Sequence, residues 1–239
     1  MYRLTLLGGV SIDGINGPVT GRAVQRHRLA LLSVLAASLS PGVSRDKLVT
    51  YLWPESSAGR ARHALADSIY RLNGALGGNA VRTVGDQLRL DGAIVSSDVG
   101  AFRDAVAVGV WEDAVRIYSG PFMDGFFLPD ALELERWMET TRERLERDYA
   151  RALEALAEER HARGDAVGAI DAWRQRAALD RYDSRVALRL METLAAAGNR
   201  AGALRHARAH IRLVEQEYGA QPVPELVTFA ERLMKATAR

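Results

Sequence analysis

The chain has 239 residues, of which 48% are hydrophobic and 26% are charged, and it contains no cysteine. This length and composition are typical of a globular protein with two domains. The absence of cysteine excludes a disulfide framework, a thiolate zinc site, an iron–sulfur cluster and a cysteine nucleophile. The first residues lack the long apolar region of a secretory signal and no segment is long enough to span a membrane, so we expect a cytoplasmic protein.

Charge is distributed unevenly along the chain, although the net charge is only +2. Residues 1–100 carry 11 basic and 7 acidic side chains, whereas the remainder carries 21 basic and 23 acidic ones. A basic N-terminal part is a weak indication of nucleic-acid binding there. Chance explains the same asymmetry equally well, so charge alone does not identify a partner.

The N-terminal part begins with strand patterns and continues as a helix. Residues 2–7 and 10–12 predict two short strands, and Val19 begins a third after turn residues. Apolar residues then recur at helical spacing over residues 24–39, and Pro41 marks the end of that helix. These elements predict a small antiparallel sheet followed by an amphipathic helix.

Two further helices follow before a hairpin. Ser44 is placed to cap a helix that stops at Pro54, and Ser56 or Ser57 is placed to cap the next one. Gly77 and Gly78 close this third helix, and residues 81–84 and 88–90 flank a tight turn that predicts a β-hairpin. The third helix carries one apolar stripe, formed by Ala61, Leu65, Ile69, Leu72 and Leu76.

The rest of the chain is almost continuously helical. Helices are predicted over residues 98–108 and 111–118, and a long one over about 130–161. Between them, residues 120–129 form a loop rich in aromatic and turn residues, which we interpret as core. A 34-residue period then relates Gly164 and Gly168 to residues 198 and 202, and this period is typical of tetratricopeptide (TPR) repeats.

The order strand, strand, three helices, hairpin is that of a winged helix-turn-helix, with the third helix free to enter a DNA major groove and the hairpin as the wing. We therefore predict a mainly α protein with a small antiparallel sheet: a winged helix over residues 1–92 and an all-α, TPR-like domain over residues 97–239. The residues predicted to face DNA are Arg60, Arg62, His63, Asp67, Tyr70 and Arg71 on the third helix and Arg82 at the foot of the wing.

The motifs from residue 43 through Leu52-Trp53-Pro54 to Arg71-Leu72 resemble the OmpR-type winged helix of the SARP-family activators. The following helical region resembles the bacterial transcriptional activator domain that accompanies it, so the resemblance covers residues 2–226. It implies a DNA-facing role for Arg62, Tyr70 and Arg71. It also implies contact with RNA polymerase by the loop formed by Pro54, Glu55, Ser56 and Ser57.

The resemblance further implies a transcription activator that associates with the nucleoid, reads direct repeats in double-stranded promoter DNA and forms a possible homodimer. Two departures weaken the expected DNA affinity: the third helix ends with fewer arginines than in relatives, and the short wing carries Asp86 near its tip. The alternative function is a TPR-type interaction scaffold without specific DNA binding. We predict no enzyme activity and no cofactor, since no catalytic or phosphate-binding pattern is present.

The sequence alone leaves two interpretations for several of these residues. His63 is either a plain surface histidine or a DNA contact, and Tyr70 either packs or touches DNA. Asp67 is expected to pair with Arg71 or to tune specificity. His206 and His210 are spaced to share a metal ion, but basic residues surround them, so we predict no metal site.

Overall fold

The computed structural model describes residues 1–39, 42–220 and 222–235, apart from the side chains of residues 22 and 23. The chain divides into two compact units, Met1–Tyr149 and Ala150–Arg239. The predicted fold class, a mainly α chain with a winged helix followed by helical repeats, is confirmed. The predicted domain boundary between residues 92 and 97 lies inside the first unit, and a division of the chain at that point stays a prediction.

The strands of the described residues all belong to the first unit and form two small sheets. The order is β3-β2-β1-β7 in the first sheet and β4-β6-β5 in the second. Their bounds are β1 Tyr2–Thr5, β2 Ser11–Gly14, β3 Gly17–Pro18, β4 Val43–Ser44, β5 Val81–Val84, β6 Gln87–Leu90 and β7 Val95–Ser97.

The first sheet contains one pair that the sequence does not predict. Strand β1 pairs antiparallel with β2, as expected, but it also pairs parallel with β7, so that Leu4 lies opposite Ser97. The third strand lies just before Val19, at β3, and the Val19 amide donates to the Ile12 carbonyl. One edge strand of this sheet, β7, therefore comes after the whole winged helix in sequence.

The helices of the described residues begin close to their predicted caps. Ser44 accepts from the amide of Lys47, as predicted, and helix α1 begins at Arg26 after a short 3-10 turn at Gly21–Val24. The predicted end of α1 at Pro41 lies outside the described residues. The bounds are α1 Arg26–Ala37, α2 Arg45–Leu52, α3 Ala58–Ala75, α4 Asp98–Val108, α5 Trp111–Ile117, α6 Leu132–Ala162, α7 Ala166–Leu179, α8 Ser184–Ala196, α9 Arg200–Tyr218 and α10 Pro224–Lys235.

The first unit buries its apolar side chains between the sheets and α1, α3 and α4. The predicted aromatic loop contributes Phe122 and Met123 to this core, whereas Phe127 stays exposed. The amide of Met123 donates to the Leu6 carbonyl at 2.7 Å, which seats the loop against the chain that follows β1. Leu128 is buried as well, so the interpretation of the loop as core is correct for Phe122, Met123 and Leu128 but not for Phe127.

The second unit is built from antiparallel helix pairs with a repeated turn. Gly164 and Gly198 both have φ of +78°, and the side chains of the residues after them, Asp165 and Asn199, cap α7 and α9. Gly109 adopts φ of +74° at the turn between α4 and α5 in the first unit. The matching turns at Gly164 and Gly198 agree with the predicted 34-residue repeat, and Gly109 forms a similar turn.

Helix α6 corresponds to the long helix predicted over about residues 130–161 and carries a buried apolar stripe. Leu134, Met138, Leu145 and Leu153 are buried along it, whereas Trp137 is half-buried. The boundary between the two units falls inside α6, after Tyr149, so this helix supplies core residues to each of them.

Candidate nucleic-acid interface

Helix α3 is the third helix of the winged helix-turn-helix, and its packing fixes which side faces outward. Ala61, Leu65, Ser68 and Leu72 are buried on one stripe of the helix. Ile69, predicted for this stripe, is only half-buried, because Ser68 takes the buried position one residue earlier. The stripe packs α3 against the rest of the first unit and leaves the opposite side of the helix in solvent.

The beginning of α3 departs from an ordinary N-cap. Ser57 occupies the cap position, as one of the two predicted alternatives, but its side chain accepts no backbone hydrogen bond. Instead, the Ser57 hydroxyl accepts from Nε of Arg60 at 3.1 Å. The hydroxyl therefore orients an arginine of the exposed face rather than the helix backbone.

The exposed face of α3 has a centre and two borders, because successive helical residues are turned by about 100°. His63 and Tyr70, two turns apart, lie opposite the buried stripe, and Tyr70 is 80% exposed. The packing interpretation of Tyr70 is therefore wrong within the described structure. The predicted residues on one border are Arg60, Asp67 and Arg71, and the one on the other border is Arg62.

Acidic partners hold two of these arginines. Nε of Arg71 donates to both carboxylate oxygens of Asp67, at 2.9 and 2.8 Å, as one of the predicted alternatives requires. The hydrogen bond from Arg71 lowers the pKa of Asp67, so this carboxylate stays ionised at neutral pH. Arg62 lies 3.6 Å from Asp46 of α2 and remains widely exposed.

The wing is attached directly to the end of α3. The side chain of Asn73, in α3, donates to the Val81 carbonyl at 3.1 Å and accepts from the Val81 amide at 2.8 Å. Arg82, the next residue of β5, is exposed and forms an ion pair with Asp91. The structure thus places Arg82 beside the end of α3, with its charge partly neutralised.

The turn of the wing is as short as predicted. Strands β5 and β6 pair from Val81 opposite Leu90 to Val84 opposite Gln87, which leaves a two-residue turn. Gly85 begins this turn with φ of +61°, a conformation that glycine adopts without strain.

The loop predicted to contact RNA polymerase lies between α2 and α3. Pro54, Glu55 and Ser57 are exposed, and the Ser56 amide donates to the carbonyl of Trp53 at 3.2 Å. The Trp53 ring, at the foot of the loop, stacks on His27 with 5.3 Å between ring centroids. Ala58 and Gly59, which follow this loop, already belong to α3.

Sequence reasoning missed three residues that shape this interface. Arg28 reaches Asp67 from α1, Asn73 ties the wing to α3, and Arg45 of α2 donates to the Thr83 hydroxyl of the wing at 3.0 Å. Each contact joins residues that are 8 to 39 positions apart. No local pattern signals such contacts, although Arg28 belongs to a basic cluster that the sequence displays.

The histidine pair of the second unit has a different character. His210 is 4% exposed and its Nε2 lies 2.8 Å from the Ser184 hydroxyl, while Nε2 of His206 is buried and has no hydrogen-bond partner among the described residues. Within residues 1–39, 42–220 and 222–235, the acidic and histidine side chains form no group of three that could hold a metal ion. None of the helices described combines the length and the apolar character needed to cross a bilayer.

Comparison with known proteins places these features in a family. A model described as the bacterial transcriptional activator domain matches residues 93–234. Among solved structures, EmbR of Mycobacterium tuberculosis, in complex with a low affinity phosphopeptide, matches with a TM-score of 0.69 and 21% identity. The match covers 98% of this chain and 65% of the EmbR chain, and it shows a shared fold. A search of curated proteins found no match. The chain therefore belongs to the family of proteins with a bacterial transcriptional activator domain, as its resemblance to the SARP-family activators predicts.

Proposed function

We propose that the protein is a transcription activator that binds promoter DNA through α3, without catalytic activity of its own. The family of the helical region supports the regulatory role, and the winged helix supplies a DNA-reading element. In this proposal the protein works in the cytoplasm on the chromosome, and its helical repeats serve self-association or regulation.

The observation that carries this proposal is the arrangement of the exposed face of α3. His63 and Tyr70 occupy the centre of this face, with Arg71 and Arg62 on opposite borders. A helix that enters the major groove directs its central residues toward base edges, and long side chains on its borders reach either a base edge or a phosphate wall. Arginines on both borders match this requirement, because Arg71 can then read a base while Arg62 meets a phosphate.

The wing supports a second contact. Arg82 and Arg45 lie on or beside strand β5, and both are tied to polar neighbours of the same unit. We propose that they meet a phosphate next to the groove that α3 enters. Because Arg82 already pairs with Asp91, its charge is partly neutralised and its contribution to affinity is expected to be modest.

Two partners complete the proposal. The exposed loop of Pro54, Glu55, Ser56 and Ser57 lies next to the start of α3, where RNA polymerase bound beside the operator can reach it. A homodimer on two directly repeated half-sites, spaced by about one DNA turn, places two copies of α3 on the same side of the duplex.

The alternative function, an interaction scaffold, does not need this surface of α3. A scaffold that binds peptides through its repeats requires no outward basic face on α3, whereas DNA binding does. The exposure of Arg62 and Tyr70 therefore favours DNA. The two functions are separated by binding to the upstream DNA of the gene and to a scrambled duplex of equal length.

The decisive measurement is the affinity of the full chain for its upstream DNA as a function of salt. Phosphate contacts release counterions, so the affinity should fall steeply between 50 and 200 mM salt, on the order of 10³-fold for six contacts.

Arg71→Ala should weaken binding by about 5- to 150-fold, the cost of one good base contact, without changing thermal unfolding. Arg116→Ala, which removes an exposed arginine paired with Asp113 on α5, is the matched control and should bind like the wild type.

Two results would contradict the proposal. Affinity that does not depend on salt would exclude phosphate contacts, and equal binding by the Arg71→Ala variant would exclude α3 as the reading element.

A further inference from the structure

The basic cluster at the start of α1 does not form a single charged surface. Nη1 of Arg26 donates to the Phe127 carbonyl at 3.2 Å, and the ring of His27 stacks on Trp53. Arg28 turns into the protein instead and is only 6% exposed. Burying a guanidinium group is costly unless an anion compensates its charge, so the partner of Arg28 is the informative feature.

One acidic partner of Arg28 is a residue of α3. Nη2 of Arg28 lies 3.3 Å from Oδ2 of Asp67, and the same carboxylate accepts from Nε of Arg71. Asp67 thus joins a buried arginine on its inner side to a partly exposed arginine on its outer side. The three residues form a relay, defined here as Arg28, Asp67 and Arg71, that runs from the core to the proposed DNA surface.

The relay determines which part of Arg71 is presented outward. Asp67 holds Arg71 through Nε, and its contact with that atom does not use the N–H groups of the two terminal nitrogens. Guanine is read by two parallel donors that meet its O6 and N7 atoms. An arginine fixed in one orientation offers such a pair in one place, whereas a mobile arginine follows the nearest phosphate.

We propose, on the basis of the proposed DNA-binding function, that Arg28 is a positioning residue that determines sequence specificity. It holds Asp67, and Asp67 in turn orients the terminal nitrogens of Arg71 toward a guanine. Arg28 itself touches no DNA. Its loss should therefore reduce discrimination between DNA sequences much more than it reduces binding to DNA in general.

A double-mutant cycle in the full chain tests this inference. The probes are the upstream DNA of the gene and a scrambled duplex of the same composition, and the measured quantity is the ratio of the two affinities. Arg28→Met should lower this ratio by about tenfold, within the range for one base contact, and should leave affinity for the scrambled duplex unchanged. In the Arg71→Ala background, Arg28→Met should cause no further loss, because Arg28 acts through Arg71.

Matched variants keep the test decisive. Arg26→Met removes an exposed arginine two residues earlier on the same helix and should preserve the ratio. Arg28→Lys keeps a positive charge toward Asp67 and should recover part of the discrimination. Should Arg28→Met fail to fold, Asp67→Asn breaks the relay at a partly exposed residue and should give the same loss, again absent in the Arg71→Ala background.

The outcomes separate this inference from the proposed function. Additive losses from Arg28→Met and Arg71→Ala would overturn the relay, because a residue that only stabilises the fold acts independently of Arg71. An unchanged affinity ratio in Arg28→Met would overturn it as well. A wild-type protein that binds both duplexes equally would instead overturn specific DNA binding itself, and the relay with it.

Discussion

Two glycines near the starts of α7 and α9 are required by the side chains that cap these helices. The carboxylate of Asp165 accepts from the Gly168 amide at 2.9 Å, and the amide oxygen of Asn199 accepts from the Gly202 amide at 2.9 Å. A Cβ atom at Gly202 would lie 2.6 Å from that oxygen, which is closer than such contacts allow. These two glycines of the repeat therefore make room for the caps of their own helices.

We predict that Gly202→Ala does not stabilise the protein, although alanine favours helices. The new methyl group displaces the Asn199 side chain, and losing such a cap costs about 1 kcal/mol, which exceeds or cancels the gain in helix propensity. Gly74→Ala in α3 is the matched control, because its Cβ would meet nothing within 4 Å, and it should stabilise by about 0.5–1 kcal/mol. Urea unfolding of both variants measures the difference in their free energies of unfolding. Equal stabilisation by both substitutions would show that the Asn199 cap does not contribute to stability.

The helix pair α8–α9 carries a buried histidine whose titration opposes folding. Burial lowers the pKa of His210, although a backbone hydrogen bond to Arg181 and the carboxylates of Asp183 and Asp180 act in the opposite direction. Burial, the neighbouring His210 and the charge of Arg174 lower the pKa of His206 as well. Both side chains therefore take up protons less readily in the folded than in the unfolded protein.

We expect the free energy of unfolding to decrease as the pH falls below about 6.5, the ordinary histidine pKa. The unfolded chain binds protons there before the folded one does, so the contribution of these histidines is complete above this pH and is lost as the pH approaches their lowered values. His206→Gln, which cannot titrate, should make the stability less dependent on pH between 7 and 5 in urea unfolding. A variant with the wild-type pH dependence would show that His206 does not contribute.

Helices and turns with a local signal could be predicted well from the sequence. The predicted bounds of α4 agree with the observed Asp98–Val108, because a serine cap and a closing glycine mark its ends. Helix α3 could be predicted because an apolar stripe marks it, and the wing could be predicted because a tight turn marks the hairpin. For the candidate site, the exposed side of α3 follows from helical periodicity, which is why Tyr70 and Arg62 lie where predicted.

Contacts between distant parts of the chain could not be predicted. The contact between Arg28 and Asp67 joins positions 39 residues apart, and a basic residue before an apolar run usually faces solvent. Strand β7 has three residues, too few for a periodic pattern, and its parallel pairing with β1 depends on everything folded between them. These contacts are decided by tertiary packing, which local propensity does not encode.

One such contact links the winged helix to the region matched by the family model. Asp98, at the start of α4, accepts from the backbone amides of Leu6 at 2.8 Å and Leu7 at 2.9 Å, just after β1. Both leucines are buried. Asp98 therefore satisfies buried backbone donors directly after β1 from a position beyond the predicted boundary at residue 92, so the first sheet depends on the chain that follows the winged helix.

We predict that Asp98→Ala destabilises the first sheet although the substitution lies outside residues 1–92. Two buried amides lose their acceptor, at about 1–3 kcal/mol each, whereas Asp104→Ala, on the exposed side of the same helix, should change stability by less than about 0.5 kcal/mol. Urea unfolding gives the total loss, and native-state hydrogen exchange locates it: the amides of β1 and β2 should exchange faster. Faster exchange confined to α4 would mean that residues 1–92 hold their sheet without help, and a boundary at residue 92 would then separate two independent domains.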